Sequence, residues 1–462
     1  MQNIATESVC PDCLKRIPAH KEIDGDRIYL VKECPDHGIF RVLIWQGEPG
    51  YRNWTAPRVP SSPGVFSTRV DSGCPFDCGL CPEHRQETCC VLLEITQRCN
   101  LHCPVCFAST VSDSAADPDQ TVIESWYRRL LDSGGNYNIQ LSGGEPTVRD
   151  DLPEIIQLGH KLGFDYIQLN TNGLRLAKEP HYVEKLRDAG LNNVFLQFDG
   201  MTDNIYEALR GAPLLDIKKA AIDNCATYGI GVVLVPTVAR GINLNNIGDI
   251  IRYAVKRIPD VRGVHFQPIS YFGRYPFEPP VERATIPELL REIEKQTAGL
   301  IKKENLLPAK AENAYCSFHG NFVLMPDCSL KPLTSYSNTK CCTKPEISEG
   351  LEKTRLFVAK QWSAPKSYNT QKSNLNFIDN KLQNADAGIN TDSLDVFIDR
   401  VSSYSLVISG MAFQDAWTLE LERLKECNVL VFHPDGRLIP FCAYNLTAKN
   451  GKALYRNQKA KA

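Results

Sequence analysis

The feature that decides the fold is the stretch Cys99-Asn-Leu-His-Cys103-Pro-Val-Cys106-Phe-Ala. It directly follows the apolar run 91–96 and places three cysteines at C-x3-C-x2-C spacing. Three thiolates this close can bind three irons of a [4Fe–4S] cube and leave the fourth iron without a protein ligand. The alternatives are a zinc knuckle or a redox pair, but zinc sites usually take their ligands as two separated pairs. The spacing therefore favours a cluster with one open coordination position.

A second motif further along the chain is Leu141-Ser-Gly143-Gly144-Glu145-Pro146. Together with the cysteine trio and the aromatic Phe107 after it, this motif resembles the signature of the radical S-adenosylmethionine (radical SAM) superfamily. The resemblance implies that Cys99, Cys103 and Cys106 hold the cluster. It also implies that residues 143–146 form the turn after the second strand of a barrel, where the amino group of SAM is received.

The composition limits the class of protein. The chain has 462 residues, which predicts two or three domains, and its 52 basic and 54 acidic residues nearly cancel. We therefore expect no nucleic-acid partner. No export signal and no transmembrane segment is visible, so a cytoplasmic location is expected. Disulfides do not persist there, and the 18 cysteines indicate metal ligands or redox groups.

Residues 91–280 alternate apolar runs with amphipathic stretches. The predicted strands are 92–96, 138–142, 166–170, 193–198, 232–238 and 263–269. Strands alternating with helices indicate βαβ units and a parallel sheet. We expect an α/β fold in which, by the superfamily resemblance, the six units form a partial (β/α)6 TIM-like barrel of radical SAM type.

Polar residues stand at the ends of two of these predicted strands. Asn170 and Thr171 end the third strand, and Gln197 and Asp199 end the fourth. The carboxyl ends of barrel strands meet at one opening, where ligands bind, so we expect these four residues to contact SAM or substrate. The alternative is plain turn chemistry, because Asn-Gly and Asp-Gly are common turn pairs.

Residues 1–70 form a predicted N-terminal domain of short strands, among them 27–31 and 40–44. Its pairs Cys10-Pro-Asp-Cys13 and Cys34-Pro-Asp-His37 have the spacing of a zinc-ribbon or rubredoxin-like knuckle. We predict one mononuclear zinc or iron ion on Cys10, Cys13, Cys34 and His37, because four ligands leave no open position.

The segment 71–90 repeats the spacing of the trio at Cys74, Cys78 and Cys81. A cubane cluster there needs a fourth ligand, and the candidates are His84, Cys89 and Cys90. A thiolate is favoured, because thiolates are the commonest ligands of such clusters.

Residues 281–462 are predicted to form a C-terminal α+β domain that covers the substrate. We expect a second auxiliary cluster on Cys316, Cys427 and Cys442, the alternative being that some of these are merely buried thiols. The adjacent pair 341–342 is expected to supply at most one ligand or to form a separate redox pair. Helical stretches are predicted at 283–312 and 416–427, and a polar insertion near 362–392.

Within the superfamily, three further stretches narrow the resemblance. They are the pattern at Cys10, Cys13 and Cys34, then Gly73-Cys-Pro-Phe-Asp-Cys-Gly-Leu-Cys-Pro-Glu-His84, and His433-Pro-Asp-Gly-Arg-Leu-Ile-Pro-Phe-Cys442. Over essentially its whole length, the chain resembles the family of archaeal tetraether lipid synthase and the radical SAM dihydropterin methyltransferases. It looks most similar to the bacterial branch called radical SAM (seleno)protein TrsS. A histidine expected near Ala412 is missing, which puts transfer of the archaeal substrates in doubt.

The resemblance implies that SAM is reductively cleaved to a 5′-deoxyadenosyl radical that attacks a substrate C–H bond. C-methylation or C–C coupling of a small molecule or lipid is the expected outcome. Two auxiliary clusters, and an electron donor such as ferredoxin or flavodoxin, are implied as well. A peptide-modifying maturase is the main alternative. A non-enzymatic iron–sulfur electron carrier is a remote one, because it needs neither the Gly-Gly-Glu-Pro turn nor six βα units.

Overall fold

The computed structural model describes residues 4–56, 62–109, 116–135, 137–276, 283–334, 361–365 and 394–456. The pair 341–342 and most of the insertion predicted near 362–392 lie outside the described residues. Within the described part of the chain, no helix combines the length and apolarity needed to cross a membrane.

The N-terminal region is a four-stranded antiparallel meander. Its strands are β1 (Ile4–Val9), β2 (Arg16–Asp24), β3 (Arg27–Cys34) and β4 (Gly38–Gln46). The predicted strands 27–31 and 40–44 are the centres of β3 and β4. In the hairpin between β2 and β3, Gly25 takes a φ of +61°, which glycine adopts without steric cost.

Six parallel strands form the centre of a second, larger sheet. They are β5 (Cys90–Thr96), β6 (Asn138–Gly143), β7 (Ile167–Thr171), β8 (Asn193–Gln197), β9 (Gly231–Val235) and β11 (Val261–Pro268). Each corresponds to a strand predicted from the sequence. The fifth prediction, 232–238, is split, because Pro236 cannot donate a ladder hydrogen bond and the chain resumes as β10 (Thr237–Val238) beside β11.

Helices alternate with these strands, and the apolar faces of all of them but α5 (Asp203–Arg210) join the same hydrophobic core, while Ile205 and Leu209 of α5 pack in a smaller cluster with Val105 of the cysteine loop. They are α1 (Gln120–Asp132), α2 (Leu152–Lys161), α3 (Leu174–Lys178), α4 (Pro180–Asp188), α5 (Asp203–Arg210), α6 (Leu215–Thr227), α7 (Ile247–Lys256) and α8 (Ile286–Gln296). Local signals set their ends: the Asp119 side chain accepts from the amide of Val122 at the start of α1. Gly211 closes α5 with a φ of +80°. The result is an α/β fold.

The C-terminal region extends this sheet at both edges. Its elements are β12 (Leu307–Pro308), β13 (Ser317–Leu324), β14 (Leu330–Pro332), α9 (Leu394–Ser403), β15 (Ser405–Met411), α10 (Leu421–Leu424), β16 (Val429–Phe432), β17 (Leu438–Pro440) and α11 (Phe441–Tyr444). Strand β15 runs parallel beside β11, and β16 runs parallel beside β5. The strand order is β12-β13-β15-β11-β9-β8-β7-β6-β5-β16-β17. The described strands of 281–462 therefore share the sheet of 91–280.

Two predicted helices are wrong over much of their length. The helix predicted at 416–427 is reduced to α10, because the Asp415 carboxylate caps a turn by accepting from the amides of Trp417 and Thr418. The helix predicted at 283–312 ends with α8 at Gln296. Ala298 and Gly299 then take positive φ angles of 50° and 77°, which reverse the chain.

Candidate functional site

The three cysteines of the trio lie on the loop after β5 and line one cavity of about 720 Å³. Cys103 is buried, while Cys99 and Cys106 are partly exposed to the cavity. The cavity is also lined by residues of β6, β7, β8, β9 and β11, and by residues of β13 and β15. Its size is in the range of cavities that hold a small-molecule ligand.

The segment after β11 fixes the cysteine loop. The amides and carbonyls of Cys106 and Arg274 exchange two hydrogen bonds of 2.9 Å, and Arg274 Nε donates to the Cys103 carbonyl at 3.0 Å. Gly273 makes this approach possible, because a Cβ there would lie 2.7 Å from the Cys106 carbonyl oxygen. The loop is therefore held through the backbone of Cys103 and Cys106.

The two glycines of the predicted turn are required by close packing against the start of the cysteine loop. A Cβ on Gly143 would overlap the Thr96 carbonyl oxygen, and one on Gly144 would overlap that of Arg98. The amide of Gly144 donates to Thr96 at 2.9 Å. The ends of β5 and β6 are thereby joined beside the trio, with Gly143 and Gly144 on the cavity wall.

The carboxylate of Glu145 is almost fully buried and holds the ends of β6 and β7 together. Its Oε1 accepts from the hydroxyls of Thr147 and Thr171, each at 2.7 Å, and its Oε2 accepts from the Asn172 amide at 2.6 Å. Pro146 is buried next to it. The side chain of Glu145 is thus occupied with positioning strand ends. Its amide donates to the Arg98 carbonyl at 2.8 Å, so only its carbonyl, which already accepts from the Val148 amide at 3.1 Å, keeps a lone pair for a ligand.

Of the four polar residues predicted at strand ends, three line the cavity: Asn170, Thr171 and Gln197. The fourth, Asp199, is completely buried and forms a two-pronged ion pair with Arg210, at 2.7 and 2.8 Å. Arg210 itself lines the cavity and donates to the Val105 carbonyl in the cysteine loop. Asp199 therefore acts on the site through Arg210.

Arg210 and Lys218 are cations that the sequence did not reveal as site residues. Lys218 is fully buried, and Nζ donates to the Asn172 carbonyl at 2.5 Å and to Gln197 Oε1 at 3.2 Å. Burial lowers the pKa of Lys218 to about 8, although Asp199 opposes this shift. Both residues occupy ordinary positions on amphipathic helices, so their role emerges only when α5 and α6 pack against the strand ends.

The donor set fits a cubane cluster. Burial raises the pKa of Cys99 to about 11 and also raises that of Cys103, so both thiols are neutral unless a metal replaces their protons. Arg210 and Lys218 favour the thiolate of Cys103, and Arg456 interacts electrostatically with Cys106. Three sulfur ligands, nearby cations and an adjoining cavity are what a cluster with one open iron needs.

The C-terminal end of the described chain packs over this loop. Arg456 forms an ion pair with Glu94 of β5, at 2.5 Å, and lies 5.6 Å from the ring of Phe107. Phe107 also contacts Phe441, at 5.9 Å between ring centroids. Phe107 thus lies where the C-terminal segment borders the cavity, which both aromatic residues line.

The N-terminal ligand set converges as predicted. The ligand atoms of Cys10, Cys13, Cys34 and His37 all lie within 4.8 Å of one another. His37 Nδ1 is 3.4 Å from the sulfur of Cys34 and 3.6 Å from that of Cys10. Two turns, one before β2 and one between β3 and β4, supply one pair each.

The other cysteines predicted to bind auxiliary clusters fall into two groups. In the first, the thiols of Cys74 and Cys78 share a hydrogen bond, and Cys74 interacts electrostatically with Cys81. In the second, burial raises the pKa of Cys442, and Cys427 and Cys316 raise it further, so the three predicted thiols influence one another.

The candidates for a fourth ligand to the first group have different surroundings. His84 Nε2 donates to the Cys427 carbonyl at 2.8 Å, which leaves only Nδ1 for a metal. Burial raises the pKa of Cys90, and the nearby thiols of Cys89 and Cys427 raise it further. Cys89 and Cys90 both line the cavity.

Two family models match regions of the chain that contain the cysteine trio and the N-terminal ligand set. The family model "Radical SAM superfamily" matches residues 93–254, and the model "HMPTM N-terminal zinc ribbon domain" matches residues 4–46. The chain is 34% identical to the 7,8-dihydro-6-hydroxymethylpterin dimethyltransferase of Methanocaldococcus jannaschii, over 95% of this chain and 93% of that protein. It is 28% identical to a probable GTP 3',8-cyclase of Methanothermobacter marburgensis, over 58% of this chain and 91% of that protein. The crystal structure of methylornithine synthase is similar over 63% of this chain and 86% of its own, at 15% identity and a TM-score of 0.36.

Proposed function

We propose that this chain, which belongs to the radical SAM superfamily and within it to the family of the Methanocaldococcus dihydropterin dimethyltransferase, methylates carbon in a small molecule. That it is a radical SAM enzyme follows from family membership. Methylation is supported by the activity of the Methanocaldococcus relative, a dimethyltransferase that matches nearly the whole chain.

The observation that carries the proposal is the convergence of three thiols and the Gly143–Gly144 turn on one cavity. Cys99, Cys103 and Cys106 would hold a [4Fe–4S] cluster there, and together with SAM this cluster would supply a carbon-centred radical able to take hydrogen from a substrate C–H bond. The backbone at residues 143–145 is proposed to receive the amino end of SAM. Asn170, Thr171 and Gln197 are proposed to orient SAM or substrate.

Two auxiliary cubane clusters are part of the proposal. The mutual influence of Cys74, Cys78 and Cys81 supports one, and that of Cys316, Cys427 and Cys442 supports the other. Three cubes correspond to about 12 irons in the reconstituted protein. The triple alanine variant at positions 74, 78 and 81 should lose about four irons, and so should Cys442→Ala. If either variant keeps its full iron content, that cluster is misassigned.

Several finer expectations remain proposals. The six parallel strands support a partial (β/α)6 barrel, since residues from all of them line one cavity. The cubes require electrons, which suits a ferredoxin or flavodoxin donor in the cytoplasm. Placement in the TrsS branch rests on the sequence resemblance alone.

The test is anaerobic incubation of reconstituted enzyme with methyl-labelled SAM, a reductant and 7,8-dihydro-6-hydroxymethylpterin. Label in the pterin product, together with 5′-deoxyadenosine, supports methylation. Formation of 5′-deoxyadenosine in cell extract without label transfer to any product overturns methylation in favour of coupling or another radical reaction. Cys225→Ala is the matched control, because this buried cysteine lies on α6 away from the cavity.

A further inference from the structure

The last described residues of the chain, 446–456, fold back on themselves as a C-terminal hairpin. The Leu454 amide donates to the Leu446 carbonyl at 2.8 Å, and the turn between them contains Gly451 with a φ of +84°. Because the chain reverses there, the two residues that follow return to the interior. Tyr455 and Arg456 are each only 4% exposed.

The C-terminal hairpin contacts the surroundings of two metal-ligand sets through its backbone and turn. The Lys449 amide donates at 2.8 Å to the carbonyl of Pro11, which lies between the first two ribbon ligands. The Thr447 hydroxyl accepts from the Gly273 amide at 3.1 Å, in the segment that holds the loop of the trio. The hairpin is therefore fixed against both regions before its last two residues are considered.

Tyr455 ties together the turn that carries Cys74 and Cys78. Its hydroxyl donates to the Pro75 carbonyl at 2.7 Å and accepts from the Cys78 amide at 3.1 Å. Cys78 is itself buried, so water cannot readily replace a lost partner of its amide. One phenol group thus satisfies two backbone groups of this cysteine loop.

Arg456, the next residue, belongs to the other cysteine loop. Its guanidinium donates to both carboxylate oxygens of Glu94, at 2.5 and 3.1 Å, and to Asn445 Oδ1 at 2.7 Å. The side chains of Arg456 and Glu94 are only 3% and 6% exposed. The guanidinium lies 5.6 Å from the ring of Phe107, and its charge interacts with Cys106. Because both charges of the pair are buried, salt screens them weakly.

We propose that Tyr455 and Arg456 are positioning residues for the two cysteine loops, and that the charge of Arg456 raises the reduction potential of the cluster that the trio would hold. Reduction makes such a cluster more negative, and a fixed cation nearby stabilises the more negative form. The Glu94 carboxylate acts in the opposite sense. This inference needs the cluster that radical SAM membership implies, and it does not depend on what the enzyme methylates.

The test of Arg456 is an anaerobic redox titration of the reconstituted full-length protein, followed by electron paramagnetic resonance. The signal of the trio is the one that added SAM alters, because its open iron can bind SAM. Arg456→Gln is expected to shift the reduction equilibrium about tenfold towards the oxidised form, a potential lower by about 59 mV for one electron. Glu94→Gln should raise the potential, and Arg456→Lys should stay near the wild type. Arg128→Gln, which removes an exposed arginine paired with Glu124 on α1, is the matched control and should titrate like the wild type.

Shifts of opposite sign separate an electrostatic role from a packing role, because a loosened loop would shift both variants in the same direction. The assignment of Arg456 is overturned if Arg456→Gln titrates like the wild type, or if Arg456→Gln and Glu94→Gln shift the potential the same way. If Arg456→Gln does not fold, Glu94→Gln decides alone. A raised potential then supports the assignment, and an unchanged or lowered one overturns it.

The test of Tyr455 is hydrogen exchange of the reconstituted protein, read by mass spectrometry on peptides that contain Cys78. Tyr455→Phe is expected to speed exchange there about tenfold, while the potential of the trio stays at its wild-type value. Tyr253→Phe is the matched control, because its buried hydroxyl has no hydrogen-bond partner within the described chain. Unchanged exchange in Tyr455→Phe overturns its positioning role. Both measurements are made without substrate, so failure of label transfer from SAM would overturn methylation and leave these results standing.

Discussion

The zinc-ribbon site and the three-thiol site both rely on cysteine ligands. They differ in whether the protein ligands leave a coordination position open. In the ribbon, four ligand atoms from two turns lie within 4.8 Å of one another, so the coordination sphere is complete. At the second site, three thiols on one loop face a cavity of about 720 Å³. A complete set of protein ligands therefore distinguishes a structural metal site from one at which a substrate can bind.

The thiols of the two sites also differ in their readiness to ionise. In the ribbon, the pKa values of two interacting thiols are pushed apart: burial raises the pKa of Cys10 to about 12, while hydrogen bonds from His37 and the backbone outweigh desolvation at Cys34 and lower its pKa to about 7. At the cavity, burial raises the pKa of Cys99 to about 11. The ribbon therefore has a thiolate available near neutral pH, whereas the trio depends on the charge of its cluster and on nearby cations.

The largest effect is expected at the open site. Cys103→Ala leaves two ligands, so we expect loss of about four irons and of all 5′-deoxyadenosine formation, with the ribbon metal retained. Metal analysis and product chromatography measure both. Cys225→Ala should keep full activity. Normal 5′-deoxyadenosine from the Cys103 variant would show that the trio does not hold the catalytic cluster.

The next effect concerns the turn that faces the trio. In Gly144→Ala the new methyl group overlaps the Arg98 carbonyl oxygen and must shift the start of the cysteine loop. We expect about a hundredfold slower SAM cleavage, as for displacements of about 1 Å in an active site, with iron content largely kept. Gly64→Ala is the matched control, because nothing lies within 4 Å of its Cβ position. Equal rates for both variants would remove the turn from the SAM site.

A smaller effect on catalysis is expected at the closed site. Cys34→Ser should release about one metal ion and loosen residues 4–46, while SAM cleavage stays near the wild-type rate. Metal content, hydrogen exchange of β1–β4 and 5′-deoxyadenosine formation are measured together. Cys328→Ser, at an exposed cysteine, should change none of them. Unchanged metal content in the Cys34 variant would mean that the four residues are not a site.

Local sequence signals predicted most residues of the zinc-ribbon site and of the three-thiol site. The ribbon ligands, the trio and the glycine turn are each encoded within a few residues, and the six parallel strands are nearly continuous apolar runs. Arg210 and Arg274 were missed because their roles depend on contacts with the cysteine loop, from α5 and from the segment after β11. We expected Asp199 to contact a ligand, but its carboxylate pairs with Arg210 instead. The sequence shows that Asp199 follows a strand, but it does not show that Arg210 of α5 packs next to it.

The sequence also did not predict that the C-terminal strands join both edges of the sheet. Strand β15 pairs with β11 across a long stretch of chain, and β16 pairs with β5, so their positions are set by packing far from their own sequence. This pairing also brings His319 and Ser409 beside His265 on the cavity wall. The predicted helix at 416–427 failed for a local reason, the capping of a turn by Asp415.

The smallest effect tests whether the ribbon is an independent unit or part of the core. Lys32 of β3 is buried, and Nζ donates to Ser8 at 3.0 Å and to the Ala416 carbonyl at 2.6 Å. Burial lowers the pKa of Lys32 from 10.5 to about 7, so the unfolded chain binds more protons between those values and stability rises with pH across that window. Below about pH 7 both states are protonated, and the slope vanishes. At ~1.4 kcal/mol per pKa unit, the rise is at most about 5 kcal/mol. Urea unfolding of Lys32→Met should lack this rise, whereas Lys161→Met, at an exposed lysine of α2, should keep it. Equal slopes in wild type and Lys32→Met would show that the buried amine does not couple the ribbon to the core.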